Sequence, residues 1–116
     1  MPAKTPETRG DALVEHCRSL PGATEDIKWG HDLIFSVRGK MFAGFQLPDG
    51  EPLGFKVEPP VFEAMVGKNG VIPAPYMAKH SWISVTDRKK LPEAKLKALL
   101  SESHRLVGEK KRSASR

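Results

Sequence analysis

Apolar positions recur along the chain with two different periods, and the change between them divides it. Leu13, His16, Cys17 and Leu20 fall at the i, i+3, i+4, i+7 spacing of one buried helix face. Thr8-x-x-Asp11 has the pattern of a capping box at the start of that helix, and Pro21-Gly22 ends it. From Ile27 the period becomes two, the mark of strands with one face on a core. Ile27 and Trp29, then Leu33, Phe35 and Val37, then Met41, Ala43, Phe45 and Leu47, then Leu53, Phe55 and Val57 make the apolar set of four short strands.

The connections predict antiparallel pairing. Arg38-Gly39 suits a tight hairpin, and Pro48-Asp49-Gly50 a type I turn with glycine left-handed; both are too short for a parallel crossover. Pro59-Pro60 stops the fourth strand, and Pro60 opens a short helix whose apolar face is Phe62, Met65 and Val66, with Gly67 as its stop. Prolines at 73 and 75 make residues 70–76 an extended loop. Trp82 to Thr86, rich in β-branched and aromatic residues, reads as a fifth strand, and Pro92 opens a last helix with Leu96, Leu99, Leu100, Ser103 and Leu106 on its apolar face. The expected fold class is α+β: a two-layer sandwich of a curled antiparallel sheet of about five strands with N-terminal, short middle and C-terminal helices. Its expected division is a flexible stretch 1–7, one domain over 8–108 and a basic disordered tail 109–116.

Composition changes this picture little. At 116 residues, 39% hydrophobic and 28% charged, the chain can build one packed core. No apolar run approaches a membrane span and the start carries no apolar leader, so a cytoplasmic protein without membrane contact is expected. Net charge is +5, but it is uneven: residues 88–116 hold ten Lys or Arg against three Glu, whereas residues 1–87 hold nine basic and eleven acidic groups. The basicity that invites a nucleic-acid reading belongs to the C-terminal end.

Three places could carry chemistry. The strand face away from the helices would present Lys28, Ile34, Ser36, Arg38, Lys40, Phe42, Gly44, Gln46, Gly54 and Lys56, joined by Trp82, Ser84 and Thr86 if Ile83 and Val85 are core. Cations around Phe42 and Trp82 would suit nucleic acid, neutralising phosphate while the rings stack on bases. A one-residue shift in the last strand would instead make Trp82 a core residue, or a neighbouring subunit would cover the face. Residues 73–80 are the second place, where Lys79 and His80 could bind an anion ordered by Tyr76, or Tyr76 simply pins the loop. The third is Arg88, Lys89 and Lys90 with Lys110, Lys111 and Arg112, a phosphate-contacting patch or a solubilising turn and tail.

Catalytic signals are thin. His16 and Cys17 are adjacent on a helix and diverge by about 100°, and His31-Asp32 sits in a turn that Asp32 shapes. No G-x-S-x-G, Walker-type or G-x-G-x-x-G motif occurs. One cysteine and four histidines lack metal-ligand spacing, and Glu7, Asp11 and Glu15 on the first helix are a sparse oxygen set better read as a solvated face. No catalytic residue, metal or cofactor is therefore assigned.

Taken in order, Leu20-Pro21-Gly22, Trp29, Phe35-x-Val37, Gly39-Lys40-Met41-Phe42-Ala43, Phe55-Lys56, Pro73-Ala74-Pro75-Tyr76, Lys79 and Trp82-Ile83 resemble the MmcQ/YjbR-like family over about residues 10–107. The resemblance implies a two-layer fold similar in outline to frataxin/CyaY or to secretion chaperones, and a DNA-binding protein with a double-wing surface. It carries over no defined enzymatic activity. The leading expectation is contact with DNA phosphates through basic residues with aromatic support, by a monomer or weak dimer. The alternative is a non-enzymatic adaptor that holds a protein or a small anionic ligand on the open sheet face or the 73–76 loop.

Overall fold

The structure, a computed structural model, describes residues 10–75 and 77–109. The expectations for Thr8, Glu7, Tyr76, the basic run 110–112, the 1–7 stretch and the tail beyond Glu109 lie outside them. Asp11 caps the first helix: its Oδ1 accepts the backbone N–H groups of Leu13 and Val14 at 3.0 and 3.2 Å. Helix α1 accordingly runs Ala12–Ser19, and Asp11 is the cap itself rather than the third helical residue. Leu13, Val14 and Cys17 are its buried residues.

Among the described residues six strands form one open antiparallel sheet: β1 (Thr24–Lys28), β2 (Asp32–Val37), β3 (Lys40–Gln46), β4 (Leu53–Lys56), β5 (Val71–Pro73) and β6 (Trp82–Val85), in the spatial order β1-β2-β3-β4-β6-β5. The additional strand is β5, inside the stretch expected to be a loop; it pairs antiparallel with β6 along the edge, where a proline is tolerated. Helix α2 (Pro59–Met65) follows β4, and α3 (Glu93–Gly108), with Pro92 as its cap, lies against β2, β3 and β4. The fold is α+β, with three α-helices beside an open sheet.

Register fixes which side chains share a face. The row Ile27, Leu33, Phe45, Leu53, Val85 and Val71 crosses all six strands and points toward the helices. Beside it Phe35, Ala43, Phe55 and Ile83 complete the core with Leu96 and Leu100 of α3. Ile27 and Trp29, expected in this core, are 41% and 68% exposed. Ile27 sits on the edge strand, and Trp29 lies beyond the ladder's last pair, in a turn where it and Gly30 have φ of 53° and 84°.

The opposite face carries the row Asp26, Ile34, Gly44, Gly54, Ser84 and Ile72. Its centre is two glycines without side chains, and neighbours lie down over them: a Cβ on Gly44 would stand 3.1 Å from Ile34 Cδ1, and one on Gly54 3.8 Å from Trp82 Cε3. Ile34 and Trp82 are therefore only 6% and 7% exposed on a face that the helices leave uncovered.

A bulge in β3 alters the face assignment at one end. Phe35 pairs with Ala43, but Ser36 pairs with Met41 and Val37 with Lys40, so Phe42 is the extra residue. The one-residue slip turns Met41 toward the open face and Phe42 into the core, the reverse of the strict alternation. Phe42 is fully buried, packed against Phe35 and edge-on to His104 of α3.

Candidate functional site

Four chain ends meet where β2 turns into β3, β4 stops and β6 begins. Arg38 and Gly39, with φ of 53° and 80°, form the tight hairpin between Val37 and Lys40. Lys56 ends β4 directly opposite Trp82 at the start of β6. The C-terminal turn of α3 arrives at the same end, with Gly108 against the Val37 side chain.

The bulge leaves two backbone groups there without ladder partners, and α3 supplies both. Ser103, fully buried, accepts the Lys56 N–H at 3.0 Å and donates its hydroxyl to the Phe42 carbonyl at 2.7 Å. A serine hydroxyl in the gap between β3 and β4 replaces the missing strand-to-strand pairing. The Lys56 ammonium donates to the His80 carbonyl at 2.6 Å, tying down the 3₁₀ turn Ala78–His80.

Together these elements bound an open groove of about 1100 Å³. Its walls carry Arg38, Lys40, Lys56 and His80, and its apolar floor is made by Met41, Met77, Trp82, Leu106 and Val107. The one acid on its lining, Glu109, is held by Arg105 at 2.8 Å, and Arg105 also bonds Glu102. Those contacts hold the Arg105 guanidinium above its ordinary pKa and, despite slight desolvation, the Glu102 carboxyl below its own. Arg38 and Lys40 are exposed and form no ion pair among the described residues. Lys79 lines a shallower hollow next door, with Lys56, His80 and Glu58.

The residues singled out from sequence thus divide into three groups. Arg38, Lys40, Lys56, His80 and Trp82 come together in the groove, with Lys79 beside it. Phe42 is removed: burial behind the bulge leaves it no ring face for a ligand. Arg88, Lys89 and Lys90 form a 3₁₀ turn just beyond the far end of β6, away from the groove. Sequence reasoning missed Met77, Leu106 and Val107 as lining; the last two continue the spacing of Ser103 on α3.

Arg88 is engaged in the fold. Its guanidinium makes two hydrogen bonds of 2.9 and 2.8 Å to Asp11, lies 5.8 Å from the Phe45 ring centre, and its backbone N–H donates to Glu51. Burial pushes the Asp11 carboxyl upward, but bonding and charge from Arg88, with the Leu13 and Val14 N–H groups, outweigh it and hold the pKa below its ordinary value. A second cavity, about 560 Å³, opens around this pair between α1 and α3, with Asp49, Glu51 and Glu93 on its lining. Cys17, close by, is buried, and burial first and the Asp11 charge second push its thiol far up. An inert thiol follows. His16 Nε2 meets Ser101 Oγ at 2.7 Å across α1 and α3, a contact that ties the helices together.

Among the described residues no group of three or more His, Cys, Asp or Glu is gathered so as to hold a metal ion, and no helix is long and apolar enough to cross a membrane. Of the first helix's sparse oxygen set, Glu15 forms an ion pair with Arg18 at 2.8 Å and Asp11 is bonded to Arg88.

The architecture is that of a small α+β domain, with a basic, apolar-floored groove at one end of an open sheet. The chain belongs to the YjbR family, whose family model matches residues 18–106. It is similar to the crystal structure of Deinococcus radiodurans protein DR2400, a DUF419 domain, at 27% identity and a TM-score of 0.77, over 90% of this chain and 85% of that one. A Pseudomonas syringae protein from a structural-genomics programme shares the fold at 20% identity and a TM-score of 0.67, over 83% of this chain and 96% of that one. Among curated proteins none matches the chain.

Proposed function

We propose that this protein binds nucleic acid, DNA in the first place, by contacting phosphates from the groove at the hairpin end of the sheet. The observation that carries the reading is Arg38 and Lys40, exposed and in no ion pair among the described residues, beside an apolar floor containing Trp82. An exposed guanidinium and ammonium at a hairpin tip neutralise phosphate at little desolvation cost, and each such contact releases counterions. Arg105 keeps Glu109 occupied, so the groove stays basic. Lys56 and His80 shape the wall, and Lys79 extends the basic track.

Aromatic support is smaller than two exposed rings would give, since Trp82 offers only a sliver of its indole. Backbone electrostatics therefore dominates and base readout is weak, which favours flexible single strands that can lay one base against Met41 and Met77. Fluorescence anisotropy with labelled single- and double-stranded oligonucleotides tests this. Binding that weakens steeply with added salt is expected, and no affinity even near 50 mM salt would refute the reading.

A second reading is a peptide or small-anion adaptor, favoured by the four aliphatic side chains Met41, Met77, Leu106 and Val107 on the floor. It predicts that an acidic peptide with apolar side chains displaces the oligonucleotide at lower concentration than inorganic phosphate does.

A further inference from the structure

The sheet ends on one side at β1, an edge that no described residue pairs with: Thr24, Asp26, Ile27 and Lys28 are all exposed. Half the N–H and C=O groups of an edge strand point outward, a template for a further strand. Ile27 and Trp29 beside it are two of the large apolar side chains the surface exposes. Ile27 lies opposite Leu33 and so faces the helix side, while Asp26 and Lys28, opposite Ile34 and Asp32, face the other.

We infer that β1 pairs antiparallel with β1 of a second copy of this chain, about a twofold axis through Ile27, joining two sheets into one. In such a pair the numbers of opposed residues have a constant sum, and the sum must be even for opposed side chains to share a face. Centring on Ile27 sets Ile27 against Ile27 and Asp26 against Lys28 of the other copy, twice by symmetry. Centring on Asp26 or Lys28 would instead set like charges at the axis. Charged edge residues ordinarily block pairing. The order Glu25-Asp26-Ile27-Lys28 leaves one register open, and the strand that satisfies it is the same strand. Trp29, whose backbone turns out of the strand just past Lys28, stands at the end of the pairing rather than within it. Arg18 holds Glu25 at 2.6 Å within each chain, so Glu25 brings a neutralised carboxylate to the contact. The acidic groups Glu25 and Asp26 argue against nucleic acid as the occupant.

The contact is short, well under the roughly 800 Å² per partner of a standard interface, so a dissociation constant of about 10–100 µM is expected. Sedimentation equilibrium of the full chain from about 1 µM to about 1 mM, with circular dichroism as a check on folding, tests it. Wild type should dimerise over that range, and Lys28→Asp, which opposes Asp26 with a second acid, should weaken the dimer at least about tenfold. Asp26→Lys combined with Lys28→Asp restores the opposite charges and should restore the dimer. A wild type monomeric throughout, a dimer indifferent to Lys28→Asp, or a double exchange that fails to recover association would each overturn the inference.

Discussion

The pair Asp11 and Arg88 joins residues 77 positions apart, and both are mostly buried, at 14% and 19% side-chain exposure. Removing one partner strands the other: Arg88→Ala is expected to cost about 3 kcal/mol, and Asp11→Ala somewhat more because the α1 cap goes with it. Chemical denaturation measures both. Because the folded pKa of Asp11 lies below its ordinary 3.8, the unfolded chain binds more protons as pH falls. The pair's stabilisation is thus fully present above about pH 5 and lost as pH drops through 3.8 toward the folded value. In Arg88→Ala that loss between pH 5 and 3 should be reduced relative to wild type. Gly50 depends on the same pair: a Cβ there would run into the Arg88 guanidinium, and φ is already +79°. The left-handed Gly50 was legible in the sequence, but its dependence on the Asp11–Arg88 pair was not. Arg88 read as a phosphate ligand or part of a solubilising turn because a basic run looks alike whether its first member is solvated or tied to a carboxylate across the fold.

At the scale of elements, hairpins and helices followed from local signals. Arg38-Gly39 makes the turn that its backbone preference indicates, and Leu96, Leu100 and Ser103 face the core as their spacing requires. What alternation could not reveal was the bulge at Phe42, since one inserted residue leaves the apolar content of β3 unchanged while turning residues 40–42 over. The bulge needs Ser103 to satisfy the backbone it disrupts. Ser103→Ala should therefore destabilise by about 1–3 kcal/mol in urea unfolding, more than loss of a surface hydroxyl. Trp82 shows the converse: the sequence left it between the open face and the core, and the structure puts it on the open face yet buried, because Gly54 in the next strand gives the ring a flat seat. Trp82→Ala should lower thermal stability by an amount equivalent to about 3–5 kcal/mol, so Trp82 acts chiefly as a structural part of the groove's floor.

For the molecule as a whole, net charge suggested nucleic acid for a reason separate from the site that now supports it. The excess lies in residues 88–116, whereas the groove draws its cations Arg38, Lys40 and Lys56 from residues 1–87, which hold more acids than bases. Folding concentrates those three at one end of the sheet while their acidic neighbours lie elsewhere or, like Glu109, are already paired. Electrostatic attraction through this end separates two contributions by mutation: the exposed Arg38 and Lys40 should alter binding while leaving stability within about 0.5 kcal/mol. The most direct measurement is the salt dependence of single-stranded DNA affinity for wild type and for Arg38→Ala with Lys40→Ala. Two lost phosphate contacts should weaken binding and lower the slope of log affinity against log salt by about 1.4. A double variant that binds with wild-type affinity and slope would contradict the groove as the DNA-contacting surface.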